Sequence, residues 1–254
     1  MSEIFASFDG TRLAVHRIGP DDGGGRPVLL LHGLFSSAQM NWIKFGHAAQ
    51  LADAGFDVIM PDLRAHGQSA APHDPENYPP DVLVKDVLAL VEGLGLTDYD
   101  LVGFSLGART STSAVIAGLT PRRLVLAGMG LEGLAGWHKR SAFFIDAIDR
   151  FDEIKHGDPA FMARQFMKTM KVDRVATRLL LESVADVAVE GLSRITMPTL
   201  ILCGEDDQDN GSPQKLVTEL PDAQLELIPG HHMSSVTERA MGERITSFLS
   251  VSRD

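Results

Sequence analysis

The chain alternates short, mainly apolar runs with longer stretches in which apolar residues recur every three or four positions. Pro27-Val28-Leu29-Leu30-Leu31, Phe56 to Met60, Arg123 to Ala127 and Pro198 to Cys203 are of the first kind. Such runs predict strands buried on both faces. Ala223 to Ile228 predicts one more strand. Asp81 to Leu94 is of the second kind: Val84, Val87, Leu88 and Val91 share a helical face, and Gly95 closes it. Asn41 to Ala54 reads as a helix capped by Gly55, and Ser234 to Val251 as a final amphipathic helix. At the start, Phe5 to Phe8 and Arg12 to Ile18 flank Asp9-Gly10, a hairpin signal. Asp21 to Arg26 is a glycine-rich surface loop. Buried strands alternating with helices predict an α/β fold, an open and mostly parallel sheet with helices on both faces.

One region breaks the alternation. From Leu131 to Met197 no buried strand is legible, while Trp137 to Lys155, Pro159 to Met170 and Asp173 to Val184 read as helices. The segment is rich in Phe and Met, including Phe143, Phe144, Phe161, Met162, Phe166, Met167 and Met170. It follows directly on the strand that ends near Gly128. A helical insertion at the carboxyl end of a parallel strand covers the crevice where ligands bind in such sheets. We therefore expect a core formed by residues 1–130 and 198–254, and a helical cap formed by residues 131–197. The apolar side chains of the cap should divide between packing and lining a pocket.

Composition narrows the possible functions. A formal net charge of −11, with no local basic cluster, gives no attraction for nucleic acid or an anionic membrane. No apolar run approaches the length of a membrane span, and the N-terminal residues lack a signal-peptide pattern. The expected location is the cytoplasm. The single cysteine, Cys203, sits in the apolar run Thr199-Leu200-Ile201-Leu202 and reads as a buried strand residue. There is no His or Cys cluster with metal-ligand spacing, and no GxGxxG after a strand. Neither a metal nor a cofactor is expected.

The chemistry concentrates around Gly103-Phe104-Ser105-Leu106-Gly107. This pentapeptide follows the apolar stretch Tyr99 to Val102 and opens a helix-compatible one, Ala108 to Gly118. Strand, sharp turn and helix with serine at the apex describe a nucleophile elbow. Glycines on either side remove Cβ atoms that would clash, and the helix N-terminus favours developing negative charge. A serine hydroxyl needs a base, and a base needs an acid to orient it. Pro229-Gly230-His231-His232-Met233 follows the last strand, and Gly204-Glu205-Asp206-Asp207 follows the one before, on the same sheet edge. His232 reads as the base and His231 as a solvated neighbour. Asp206, Asp207, Asp209 and, after an earlier strand, Glu132 are candidate acids. An oxyanion hole needs two N–H donors. The candidates are Leu106, next to the serine, and Leu34, in the turn His32-Gly33-Leu34-Phe35.

These blocks, with Asp62-Leu63-Arg64-Ala65-His66-Gly67-Gln68-Ser69, resemble in content and order the α/β-hydrolase-fold enzymes. That family includes carboxylesterases, epoxide hydrolases, haloalkane dehalogenases and meta-cleavage C–C hydrolases. The resemblance implies the α/β-hydrolase fold, a catalytic Ser105, Asp207 and His232, and loop-shaping roles for His32 and His66. Asp207, three residues after Gly204, is the acid it favours. Ala65 departs from the glycine usual in that block. Serine at the elbow separates the chain from the aspartate-bearing dehalogenase and epoxide hydrolase branches. The expected activity is hydrolysis of a small to medium hydrophobic carboxylic ester through an acyl-enzyme. Cleavage of a carbon–carbon bond beside a ketone, or ligand binding without turnover, are the alternatives.

Overall fold

The computed structural model describes residues 2–20 and 24–251. Residues 21–23 of the glycine-rich loop therefore lie outside the described residues. The strands are β1 (Glu3–Ala6), β2 (Arg12–Ile18), β3 (Arg26–Leu31), β4 (Phe56–Pro61), β5 (Asp100–Phe104), β6 (Leu124–Ala127), β7 (Thr199–Gly204) and β8 (Ala223–Ile228). They form one eight-stranded sheet in the order β1-β2-β4-β3-β5-β6-β7-β8. The β1–β2 hairpin and its junction with β4 are antiparallel, and every pairing from β4 to β8 is parallel. The order reverses around β3, whose neighbours are β4 and β5. In open α/β sheets a ligand crevice opens at such a point, beyond the carboxyl ends of the strands.

Strand alternation sends each apolar run into two cores. Val28, Leu30, Val58, Met60, Val102 and Leu202 face one side, with Trp42, Leu51, Ile245 and Leu249. Leu29, Leu31, Ile59, Leu101, Leu126 and Ile201 face the other, with Leu83, Val87, Leu90 and Ala114. The last four residues of β3 meet water on neither face: Val28, Leu29, Leu30 and Leu31 are all fully buried.

The helices are α1 (His47–Asp53), α2 (Val82–Gly93), α3 (Leu106–Ile116), α4 (Leu131–Ala135), α5 (Trp137–Asp149), α6 (Phe161–Thr169), α7 (Arg174–Ser183), α8 (Pro213–Glu219), α9 (His232–Ser235) and α10 (Arg239–Ser250). Two expected helices are interrupted. The one expected over Asn41 to Ala54 is a wide turn, Gln39–Ile43, followed by α1, because Gly46 adopts φ 83°. The terminal helix divides into α9 and α10, with Glu238 extended between them. Helix α8 has no counterpart among the expected elements, although Ser212 caps it and Pro213 opens it.

Between β6 and β7 the chain is helical throughout its regular elements, as the pattern predicts. This segment is anchored by Arg109 of α3, which is 1% exposed. Its guanidinium donates to the carbonyls of Gly133 (3.1 Å), Leu134 (2.5 Å) and Ala185, and lies over the Trp137 ring. Among the described residues no carboxylate bonds it, and burial holds its pKa down to about 10.

Candidate active site

Ser105 stands between β5 and α3 with φ 52° and ψ −111°, a conformation L-residues adopt only when the surroundings force it. Close packing supplies the force. A Cβ on Gly103 would lie 2.3 Å from the Gly107 carbonyl oxygen, and one on Gly107 would lie 2.1 Å from that of Leu31. The Ser105 amide donates to the Ala127 carbonyl at 2.9 Å, tying the turn to β6.

Three of the expected residues meet here. Ser105 Oγ is 3.0 Å from His232 Nε2, and His232 Nδ1 is 2.8 Å from Asp207 Oδ2. An ionised carboxylate only accepts, so Nδ1 carries the proton and donates to Asp207. That leaves Nε2 to accept from the serine hydroxyl. The Asp207 and His232 side chains are 3% and 8% exposed. Burial pushes the Asp207 carboxyl upward most strongly. The His232 hydrogen bond and charge, the Asp209 amide and the Arg140 charge together outweigh it and hold the group below its ordinary value. Phe104 packs on the imidazole at 5.0 Å between centroids. Gly128, at φ 59°, leaves room for the ring: a Cβ there would come within 3.1 Å of His232 Cε1.

The other candidates lie outside this line. His231 is exposed and caps α9, its Nδ1 accepting from the Met233 amide. Asp206 is exposed. The Asp209 carboxylate faces Arg140 at 3.9 Å. Glu132 accepts from Lys215 Nζ and the Ser212 amide, both at 2.7 Å, and these bonds hold its pKa down to about 2. The Cys203 thiol is buried, which pushes its pKa up to about 12. Among the described residues no group of three or more His, Cys, Asp and Glu is placed to hold a metal ion.

The turn after β3 assigns its amides one by one. The Gly33 amide donates to Asn41 Oδ1 (3.1 Å), that of Phe35 to His66 Nε2 (3.0 Å), and that of Ser36 to the Gly33 carbonyl (3.2 Å). Among the described residues the Leu34 and Leu106 amides have no such partner, and both residues line the cavity that contains Ser105. His66 can accept at Nε2 because its Nδ1–H is committed to the Arg64 carbonyl (2.9 Å). Its neighbour His32 donates from Nδ1 to the Gly33 carbonyl (2.8 Å) and accepts the Leu63 amide (2.9 Å). Burial keeps both rings neutral, pushing His66 down to about 3 and His32 in the same direction. Ala65, where the resemblance leads one to expect glycine, takes φ 65°.

The cavity above Ser105 has a volume of about 870 Å³. Its wall is mostly aromatic and aliphatic, with Phe35, Phe143, Phe144 and Phe166 among the lining residues. Met167 is 1% exposed and belongs to the core, and Phe161 packs against that core. The sequence reading missed Asn41, Lys139 and Arg140 as lining residues. For Arg140 the available signal was its position one turn before Phe144 on an apolar-faced helix; the guanidinium lies 5.5 Å from that ring.

The chain belongs to the alpha/beta hydrolase fold family, whose model matches residues 26–167. It is 29% identical over 267 residues to a non-heme haloperoxidase of Rhodococcus erythropolis, covering 90% of this chain and 94% of that one. It is 24% identical over 269 residues to a putative 2-succinyl-6-hydroxy-2,4-cyclohexadiene-1-carboxylate synthase of Bacillus subtilis, covering 95% and 96%. Among solved structures, an esterase from Exiguobacterium antarcticum superposes with a TM-score of 0.75 at 22% identity over 99% and 100% of the two chains. No helix among the described residues is long and apolar enough to cross a membrane.

Proposed function

We propose that the protein is a serine hydrolase that cleaves carboxylic esters through an acyl-enzyme on Ser105. The observation that carries this reading is the unbroken line Ser105 Oγ, His232 Nε2, His232 Nδ1, Asp207 Oδ2 at the floor of an apolar cavity. Ser105 Oγ attacks the ester carbonyl carbon while its proton passes to His232 Nε2. The carbonyl oxygen becomes an oxyanion, which the Leu34 and Leu106 amides receive as donors. Asp207 stabilises the imidazolium. Collapse of the adduct breaks the bond to the alcohol oxygen, which takes the proton from His232. Water, deprotonated by His232 in turn, attacks the acyl group, and the acid leaves as Ser105 regains its proton.

The cavity wall supports hydrophobic substrates of small to medium size, and residues 131–197 act as the cap that supplies much of that wall. The test is a fluorophosphonate label together with a p-nitrophenyl ester series. Labelling confined to Ser105 and ester turnover abolished in S105A are expected. Turnover that survives in S105A would overturn the nucleophile, and no turnover of any ester would overturn the reaction.

A further inference from the structure

The cavity is mostly apolar, and its charged lining residues are few. Although the chain carries a net charge of −11, two of the residues lining this cavity are the cations Lys139 and Arg140, against the single lining acid Asp209. The Arg140 side chain is 25% exposed and rests over Phe144, whose own ring meets Phe35 edge-on at 5.4 Å. The guanidinium therefore sits on the same aromatic wall that reaches the turn bearing Leu34.

Arg140 is not used up by its neighbours. A guanidinium has five N–H donors in a planar fork. Here Nη1 donates to the Asp209 carbonyl, and Nη2 stands 3.9 Å from the Asp209 carboxylate, beyond hydrogen-bond reach. Among the described residues no other hydrogen bond is made by Arg140. Burial pulls its pKa below the ordinary value, against the raising effect of Asp209 and Asp207. A half-buried, permanently charged fork with free donors is suited to a carboxylate, which it can bind through two parallel bonds.

Building on the esterase reading above, we propose that the cavity selects esters carrying a free carboxylate at the far end of an apolar chain, and that Arg140 is the specificity-determining residue that receives it. The apolar wall holds the chain and the guanidinium holds its end, while the ester lies at Ser105. Arg140 has a second task that the test must separate: through Asp209, whose amide donates to Asp207 Oδ1 at 3.0 Å, it steadies the loop that carries Asp207.

The experiment compares monomethyl adipate with methyl hexanoate, which have equal acyl length and differ in the terminal charge. A second pair, 6-acetoxyhexanoate and hexyl acetate, moves the carboxylate to the alcohol side. Hydrolysis is followed by pH-stat for wild type, R140Q and R140K. In at least one pair the wild type should favour the anion. R140Q should lower the anion-to-neutral ratio of kcat/KM by about tenfold or more, chiefly through KM, and R140K should recover part of it. An equal loss on both members of each pair would overturn the proposal and leave Arg140 as a support for the Asp207 loop. Calorimetry of monomethyl adipate and 6-acetoxyhexanoate with S105A and S105A/R140Q separates this from the reaction itself. Arg140-dependent binding without turnover of any ester by wild type would sustain the carboxylate site and overturn the esterase reading. Ester turnover with no Arg140-dependent discrimination would do the reverse.

Discussion

Replacing Asp207 by asparagine keeps the size of the side chain and removes its charge. One carboxylate oxygen accepts the Asp209 amide at 3.0 Å and the other accepts His232 Nδ1–H at 2.8 Å. An amide has only one oxygen. If that oxygen stays with Asp209, the NH₂ group faces Nδ1 and draws the proton to Nε2, where it blocks acceptance from Ser105. If the amide turns over, the productive tautomer returns, but the Asp209 N–H is left facing another donor, at about 1–3 kcal/mol. Either way the imidazolium loses a charge-assisted hydrogen bond worth about 1.5–3 kcal/mol. Together these amount to about 2.5–6 kcal/mol, or about 10²- to 10⁴-fold in kcat at 1.36 kcal/mol per decade. Steady-state hydrolysis of p-nitrophenyl butyrate measures it, with D206N, D209N and E132Q in parallel. E132Q should lose less than about twofold, because Glu132 is held by Lys215 and Ser212. A larger loss at any of those three positions than at Asp207 would refute the assignment.

Other expectations follow from single sites. Ala65→Gly relieves a left-handed backbone and should raise stability by about 1 kcal/mol, seen as a higher urea midpoint. Met167→Ala should cost about 2–5 kcal/mol in the same assay without reordering ester preference, since the side chain is core. Phe144→Ala enlarges the cavity and should shift the preferred acyl length upward in an ester series. Burial depresses His66 to about 3 from an ordinary 6.5, so the unfolded chain binds a proton that the fold refuses. Its contribution is therefore complete above pH 6.5 and declines as pH falls toward 3, by up to about 1.4 kcal/mol per pH unit. H66Q, which can still accept the Phe35 amide, should flatten the difference between urea midpoints at about pH 7.5 and about pH 5.

The central strands of the sheet are legible because each is a mainly apolar run too short for a helix and bounded by turn residues, as Pro27 to Leu31 shows. Ser105 is legible because the elbow leaves no space for a Cβ at Gly103 or Gly107, which writes the geometry into residue identity. The interruption at Gly46 is not, since a lone glycine in a helical pattern reads equally well as tolerated. Nor is the division of the Phe and Met residues between 131 and 197. Met167 and Phe166 are adjacent and chemically alike, yet one is wholly in the core while the other packs against it and also lines the cavity. Only the packing of α6 and α7 against α5 decides between them. The competition among Asp206, Asp207 and Asp209 is likewise a matter of which carboxylate the loop turns inward, and local sequence does not encode that direction.

The Arg109 anchor bears on how this molecule could be re-engineered. Its hydrogen-bond partners are main-chain oxygens at Gly133 and Leu134 in α4, shortly after β6, and at Ala185, just after α7. Carbonyl groups are the same whatever side chains accompany them, so these hydrogen bonds read the path of the backbone, and the Trp137 ring under the guanidinium is the side chain that joins them. Segments of other sequence could therefore be grafted between those two points without redesigning the clasp, provided the backbone there keeps its course and Trp137 is retained. On the reading proposed above, in which this segment caps the cavity, substrate range would then become an exchangeable part mounted on an unchanged triad.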